Sequence, residues 1–188
     1  MNMKKNFSLS FTISLLVLVI MANKAPGEVI FSDNFRDSNQ WKFISDTVMG
    51  GVSTGTVVFE TKDGSSFALV SGNVTPENNG GFIQIRRNLR DQKLAKAHFI
   101  KIVAKGNNQK YFIHLRTTGM LFPWQYYQSE FTVTEEFNEF ILPIKEFKKS
   151  GFLLTNTVRS SGITSLGVVA IGRNHQAKIY IKEILFFE

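Results

Sequence analysis

The chain has 188 residues, a formal net charge of +7 and no cysteine. The absence of cysteine excludes disulfide bonds, thiol catalysis and thiolate metal sites. The basic residues are spread along the chain instead of forming a stripe interleaved with aromatic residues, so we predict that nucleic acid is not a partner. The part that follows an apolar N-terminal segment has about 160 residues, the size of one domain with its own core.

Residues 1–22 are typical of a secretory signal peptide. Lys4 and Lys5 precede an apolar run from Phe11 to Met21, and small residues follow at Ala22 and Gly27. The run is shorter than the roughly 20 apolar residues of a membrane span. Because no cleavage site fits the small-x-small rule cleanly, an uncleaved N-terminal membrane anchor stays open as the alternative. In both cases we predict an exported protein of the bacterial periplasm or cell envelope that touches a membrane only through this segment.

From residue 28 onwards the periodicity is that of β-strands. The segments FIQIRR at 82–87 and KYFIHLR at 110–116 alternate between two faces, and turn-forming clusters separate them from similar runs. Strands at this spacing predict an all-β sandwich or barrel over residues 28–188. Eighteen phenylalanines suit a core between two facing sheets. Helix is expected to be scarce, with room for one or two turns in Leu89–Ala97 and in Glu146–Ser150.

Two Gly-Gly pairs predict two tight loops, because glycine tolerates positive φ and close approach of other groups. The first lies in SDTVMGGVS, Ser45–Ser53, and the second in ENNGGFIQIR, Glu77–Arg86. The first loop either presents backbone N–H groups and a carboxylate to a partner, or uses its aspartate to cap its own turn. The second either is a hairpin turn or forms the rim of a ligand cleft. The candidate site residues in these loops are Asp46, Met49, Gly50, Gly51, Asn78, Gly80 and Gly81.

A polar and aromatic face is the third candidate site. Gln84 shares one side of a strand with Arg86, and His114 shares one side of another with Arg116. A third group comprises Trp124, Tyr126, Tyr127 and Gln128, in which one of the two adjacent tyrosines must face the core. If the strands adjoin, these side chains line one concave surface that could bind sugar rings or a protein, since Trp, Tyr and Arg are common interface anchors.

In order along the chain, Trp41, Phe43, SDTVMGGVS, NNGGF, YYQSEF and FILPIKEF resemble the complex I intermediate-associated protein 30 family. The resemblance covers about Phe31 to Phe187. It implies a galactose-binding-like jelly-roll β-sandwich of two antiparallel sheets. In such a fold the segment Val29–Phe35 would lie beside Tyr180–Phe187.

The resemblance also implies a non-catalytic, chaperone-like assembly factor, which would hold a protein partner such as a subunit of a respiratory complex (NADH dehydrogenase). A carbohydrate-binding protein of the cell envelope is the alternative, and the jelly-roll likeness and the aromatic residues of the third site favour it. A catalytic role is not predicted, because no Gly-x-Ser-x-Gly elbow, Ser-His-Asp ordering or dinucleotide motif is present. No cofactor is expected.

The three histidines occur at no metal-binding spacing. A calcium site is conceivable only through the resemblance, because jelly rolls of this kind often hold one near their terminal strands. Asp33 and Glu183 would meet there if those strands pair, and carboxylates are calcium ligands.

Overall fold

A computed structural model describes residues 27–188, so the predicted signal peptide or anchor at 1–22 lies outside the described residues. In chain order, this part of the chain forms twelve strands: β1 (Val29–Asp33), β2 (Trp41–Ser45), β3 (Thr54–Lys62), β4 (Ser65–Val74), β5 (Phe82–Asn88), β6 (Phe99–Gly106), β7 (Lys110–Thr117), β8 (Tyr127–Thr132), β9 (Asn138–Pro143), β10 (Lys148–Lys149), β11 (Ile163–Ile171) and β12 (His175–Phe187). Short 3₁₀ helices lie between them at Ser38–Gln40, Asp46–Met49, Glu77–Asn79, Ile144–Glu146 and Ser160–Gly162.

The strands form two antiparallel sheets of six strands each. Sheet 1 has the order β3-β4-β12-β6-β9, with β1 paired to the end of β12. Sheet 2 has the order β10-β8-β7-β11-β5-β2. The predicted all-β sandwich of two antiparallel sheets is confirmed, and its jelly-roll character is taken up below with the similar structures.

The core lies between the sheets and follows the alternation of the sequence. On β5, Ile83 and Ile85 are fully buried while Gln84 and Arg86 point the other way. On β7, Tyr111, Ile113 and Leu115 are likewise fully buried. Because a one-residue slip would expose the whole apolar set, this burial fixes the register of sheet 2 and with it the composition of its outward face.

The terminal strands pair, but they do not form the calcium site. Asp33 on β1 lies opposite Ile184 on β12, and neighbouring residues of a strand face opposite sides, so Glu183 points away from Asp33. Asp33 is buried, forms an ion pair with Arg87 and accepts a hydrogen bond from Trp41 Nε1 at 2.9 Å. The expectation that Asp33 and Glu183 share a cation is therefore wrong. Among residues 27–188, no three His, Asp or Glu side chains form a group that could hold a metal.

Neither segment with room for helical turns forms a helix of its own. The 89–97 segment consists of separate turns, closed by hydrogen bonds three residues apart, from the Gln92 amide to Leu89 and from the Ala97 amide to Leu94. Near residue 146, the single 3₁₀ turn ends at Glu146, and the residues after it form β10 beside β8. No helix in the described part of the chain is long and apolar enough to cross a membrane.

Candidate functional site

The first glycine loop (residues 46–53) and the second glycine loop (residues 75–81) meet at one buried carboxylate. Asp46 is completely inaccessible to solvent. Its Oδ1 accepts a hydrogen bond from the Ser53 amide at 2.9 Å. Its Oδ2 accepts bonds from Ser53 Oγ at 2.5 Å, from the Gly81 amide at 2.5 Å and from the Phe82 amide at 3.3 Å. The structure thus supports the capping interpretation of Asp46 and extends it, because the same side chain ties the second loop to the first.

The two Gly-Gly pairs are explained by this junction. In each pair one glycine adopts positive φ, +86° at Gly50 and +116° at Gly81. The other glycine leaves room for the carboxylate, because a side chain at Gly51 or Gly80 would collide with Asp46. Burial by itself would raise the pKa of Asp46, but the hydrogen bonds from Ser53, Gly81 and Phe82 outweigh that effect and hold the pKa below its ordinary value.

The outward face of sheet 2 brings polar side chains of three strands into one row. Arg86 on β5 lies opposite Gly167 on β11, Gly167 lies opposite His114 on β7, and His114 lies opposite Gln128 on β8. The strands β5 and β7 are therefore separated by β11. Because Gly167 has no side chain, the Gln84 side chain lies over it, with Oε1 2.7 Å from where a Cβ would stand.

A groove of about 560 Å³ runs across this face. Eight of the residues that the sequence predicted line it: Met49, Gly80, Gln84, Arg86, His114, Arg116, Trp124 and Tyr126. Eight others were not among the predicted site residues: Ile44, Val48, Asn79, Phe82, Leu121, Pro123, Val169 and Ile171. Most of these are apolar, and Phe82 shares its side of β5 with Gln84 and Arg86, so the alternation of that strand could have found it. For Val169 and Ile171, the signal that could have found them is the pairing of β11 with β5.

The remaining predicted residues do not line the groove. Asp46, Gly50, Gly51, Asn78 and Gly81 build the glycine loops behind it. Gln128 lies beside His114 on the same face, outside the lining.

Tyr127 was wrongly assigned to the site. It is buried, and its hydroxyl bonds to the Thr155 Oγ1 at 2.8 Å. It begins β8, where alternation points its ring into the core and that of its neighbour Tyr126 outwards.

One wall of the groove is the Trp124 loop, residues 118–126 between β7 and β8, which a single guanidinium organises. Arg116 donates hydrogen bonds of 2.8–3.2 Å to four carbonyl groups of this loop, those of Met120, Phe122, Pro123 and Gln125. Trp124 stacks on Phe122 with ring centroids 4.8 Å apart and remains 60% exposed. Arg116 was predicted to contact a ligand, but its donors are largely used within the chain, so it acts as a support for the wall.

His114 forms part of the floor under an aromatic cover. Its ring stacks on Tyr126 at a centroid distance of 3.9 Å and is only 8% exposed. Burial lowers the pKa of His114 to about 4, partly opposed by the Gln128 side chain, so the imidazole is neutral at pH 7. Burial also raises the pKa of Tyr126. The Nε2 atom of His114 has no hydrogen-bond partner in the described part of the chain.

The charge of the groove is positive. None of its lining residues is a carboxylate, whereas Arg86 and Arg116 both belong to it. Burial lowers the pKa of Arg116, and the positive charge of Arg86 lowers it further, so the two guanidinium groups lie close enough to repel. The arrangement can hold a ligand through apolar, aromatic and cationic contacts.

A family model described as complex I intermediate-associated protein 30 (CIA30) matches residues 30–180. The chain belongs to the CIA30 family. The matched region of this CIA30 domain includes both glycine loops, the strands of sheet 2 and the Trp124 loop. No curated protein matches the sequence significantly.

Solved structures that resemble this CIA30 domain include carbohydrate-binding modules. One is a family 11 module from Clostridium thermocellum in complex with a beta-1,3-1,4-mixed-linked tetrasaccharide, with a TM-score of 0.68, 16% identity, and coverage of 87% of this chain and 96% of the module. Another is the family 11 module of the cellulosomal cellulase Lic26A-Cel5E of the same organism, with a TM-score of 0.67, 14% identity, and coverage of 86% and 95%. A family 30 module has a TM-score of 0.51, 13% identity, and coverage of 87% and 84%. The galactose-binding-like jelly-roll fold is thereby confirmed for this CIA30 domain.

Proposed function

We propose that this chain is a non-catalytic binding protein that holds a segment of a protein partner in the groove, in the chaperone-like manner of an assembly factor. Membership of a family named for intermediates of complex I supports this class of function. If the predicted export signal is used, the partner lies in the periplasm or cell envelope, and a subunit of a respiratory complex is the first candidate.

The observation that carries the proposal is the exposed apolar rim of the groove. Val48 and Met49 stand on the first glycine loop, and Leu121 and Trp124 stand on the Trp124 loop. Leu121 is 82% exposed and Val48 is 71% exposed. Large apolar side chains grouped around a depression mark protein or ligand contact surfaces, whereas single ones are common on any surface.

The groove walls are also fixed before a partner arrives. Asp46 ties the first glycine loop to the second, and Arg116 holds the carbonyls of the Trp124 loop. Ordering a loop during association costs free energy, so walls ordered in advance increase affinity for a given contact area. The side chains of Asp46 and Arg116 thus order the groove walls, as expected for a surface that binds a partner.

Site-specific photo-crosslinking in the native host tests the proposal. A benzophenone amino acid at Met49 should give a discrete crosslinked protein that mass spectrometry identifies. The same group at Ile141, which is exposed on β9 of sheet 1, is the matched control and should not give it. Trp124→Ala in the Met49-labelled chain should remove the product.

Two results would contradict the proposal. One is a product at Ile141 equal to that at Met49. The other is a Met49 product that survives Trp124→Ala unchanged, because the groove would then not be the contact surface.

Carbohydrate binding is a second candidate, favoured by one specific feature of the rim. Trp124 stacks on Phe122 and remains 60% exposed, beside the groove that Gln84 and Arg86 also line. An open aromatic ring near amide and guanidinium groups suits the apolar faces and hydroxyls of a sugar. Calorimetric titration with oligosaccharides checks this: saturable heat that Trp124→Ala abolishes would favour it, and its absence across a broad glycan panel would reject it.

A further inference from the structure

We infer that the segment held in the groove is extended and acidic, with apolar side chains towards the glycine loops and carboxylates towards Arg86; this inference rests on the proposed function. It adds to that proposal the charge of the partner segment, its direction along the groove and the spacing between its apolar and acidic residues.

The first argument is the gradient of polarity along the groove floor. On β5 the outward residues run from Phe82 through Gln84 to Arg86. On β11 the residues opposite them are Ile171 beside Phe82, Val169 beside Gln84 and Gly167 beside Arg86, and the Gln84 amide lies over Gly167. The floor formed by the two strands therefore changes from apolar to polar and cationic along one direction. The apolar end lies next to the glycine loops, where Val48 and Met49 add to it.

The second argument is a concentration of positive charge beyond Arg86. A smaller pocket of about 280 Å³ adjoins the groove through Arg86 and is also lined by Lys42 and Arg90. Lys42 and Arg86 are directly opposite each other on β2 and β5. Like charges opposite each other on neighbouring strands destabilise a sheet, so the fold itself does not account for this pair.

The third argument is that these charges are not neutralised within the chain. No carboxylate lines either the groove or the smaller pocket, and Arg86 makes no ion pair with any residue of the 27–188 region. Residues 1–26 contain no Asp or Glu, so they cannot supply one. A carboxylate of a partner would remove the Lys42–Arg86 repulsion and gain charge-assisted hydrogen bonds from the guanidinium.

The distance along β5 between Phe82 and Arg86 sets the spacing between the apolar and acidic residues of the partner. A strand rises about 3.3 Å per residue, so Phe82 and Arg86, which are four positions apart, are separated by about 13 Å. An extended peptide advances by a similar length, which places its first carboxylate about four residues from its apolar anchor. Aliphatic side chains such as Val48 and Leu121 at the rim match the side chains of a peptide better than the hydroxyls of an acidic sugar, which need polar partners.

Selection from a random peptide display library on the purified full chain tests the inference. Octapeptides selected at 50 mM salt should be enriched in Asp and Glu, about four residues from an apolar residue, and should be released at 500 mM salt because exposed charge pairs are screened. The affinity of a selected peptide should fall about five- to tenfold in Arg86→Glu. Lys62→Glu, the same type of charge reversal on exposed β3 of sheet 1, should change it less than twofold.

The outcomes separate the inference from the proposed function. Peptides that need Met49 and Trp124 but carry no acidic enrichment, or that bind Arg86→Glu as tightly as the unchanged chain, would overturn the inference and leave protein binding intact. If no peptide is selected and a polyuronate binds in an Arg86-dependent manner, both the acidic peptide and the protein-binding proposal are wrong.

Discussion

Asp46→Asn should destabilise the protein strongly although it changes one atom. An amide offers one acceptor oxygen where the carboxylate offers two, so at least one of the donors on Ser53, Gly81 and Phe82 faces an NH₂ group. Hydrogen bonds to a charged group contribute about 1.5–3 kcal/mol, and an unsatisfied buried donor costs about 1–3 kcal/mol. The remaining bonds also become neutral and weaker. We therefore expect a loss of about 2–4 kcal/mol in the free energy of unfolding.

Urea unfolding followed by tryptophan fluorescence and by far-UV circular dichroism measures this loss. Asp91→Asn is the matched control, because Asp91 is exposed and its side chain makes no hydrogen bond to residues of the described region. Surface changes of this kind usually stay within about 0.5 kcal/mol. An Asp46→Asn variant as stable as the control would refute the proposed junction of the two glycine loops.

The pH dependence of the stability difference between the unchanged chain and Asp46→Asn tests the same hydrogen bonds a second time. Because the pKa of Asp46 is lowered in the folded state, its stabilisation is fully present above the unfolded value near 3.8 and is lost as the pH falls through the folded value. The difference between the unchanged chain and Asp46→Asn should therefore be constant from pH 7 to 5 and shrink below about pH 4. A difference that grows on acidification would contradict the assigned hydrogen bonds.

The remaining predictions concern three other residues around the groove. The pKa of His114 is about 4 in the folded protein and near 6.5 in the unfolded chain, so acidification favours the unfolded state. Urea unfolding should show the free energy of unfolding falling by up to about 3 kcal/mol between pH 6.5 and 4, and His114→Gln should flatten that profile. Arg116→Lys cannot reproduce the forked hydrogen bonds, so amide hydrogen exchange in the Trp124 loop should accelerate at least about tenfold while exchange in β5 is unchanged. Tyr127→Phe removes the hydrogen bond to Thr155 and should lower the free energy of unfolding by about 1 kcal/mol without altering ligand or partner binding. A binding defect in this variant would show that Tyr127 belongs to the site after all.

The fold could be predicted from the sequence because its signals are local. Alternation at 82–86 and 111–116 showed directly which residues face the core, and turn clusters such as 62–65 marked where hairpins reverse. The helical turns considered for 89–97 and 146–150 came from short stretches without alternation, where buried turns and helical turns have the same apolar spacing. There the contacts of Leu89 and Leu94 with the core decided the conformation, and these are not visible in the local pattern.

The site was predicted only in part, because its decisive contacts are distant in sequence. Alternation identified Gln84, Arg86 and His114 as outward residues, but it could not show that β11 lies between their strands and adds Val169 to the floor. The glycine pairs were recognised as corners, yet the reason for them is a carboxylate 35 residues away from the amide of Gly81. Such long-range partners follow from the topology of the sandwich and from nothing in the nearby sequence.

The partly buried Arg116 and the exposed Arg86 illustrate how differently the chain uses charge at this surface. Arg116 is surrounded by loop carbonyls, so its charge is satisfied within the chain and serves the shape of the wall. Arg86 is opposed by Lys42 and meets no carboxylate in the described chain, so its charge is available and costs the free chain stability. Loss of Arg116 should therefore slow or abolish partner binding at any salt concentration, because it disorders the wall. Loss of the Arg86 charge should leave the wall intact, relieve its repulsion from Lys42 in the free protein and weaken the salt dependence of binding, to which Lys42 and Arg90 still contribute. A partner without negative charge would reverse that second expectation, since Arg86→Gln would then bind at least as well as the unchanged chain.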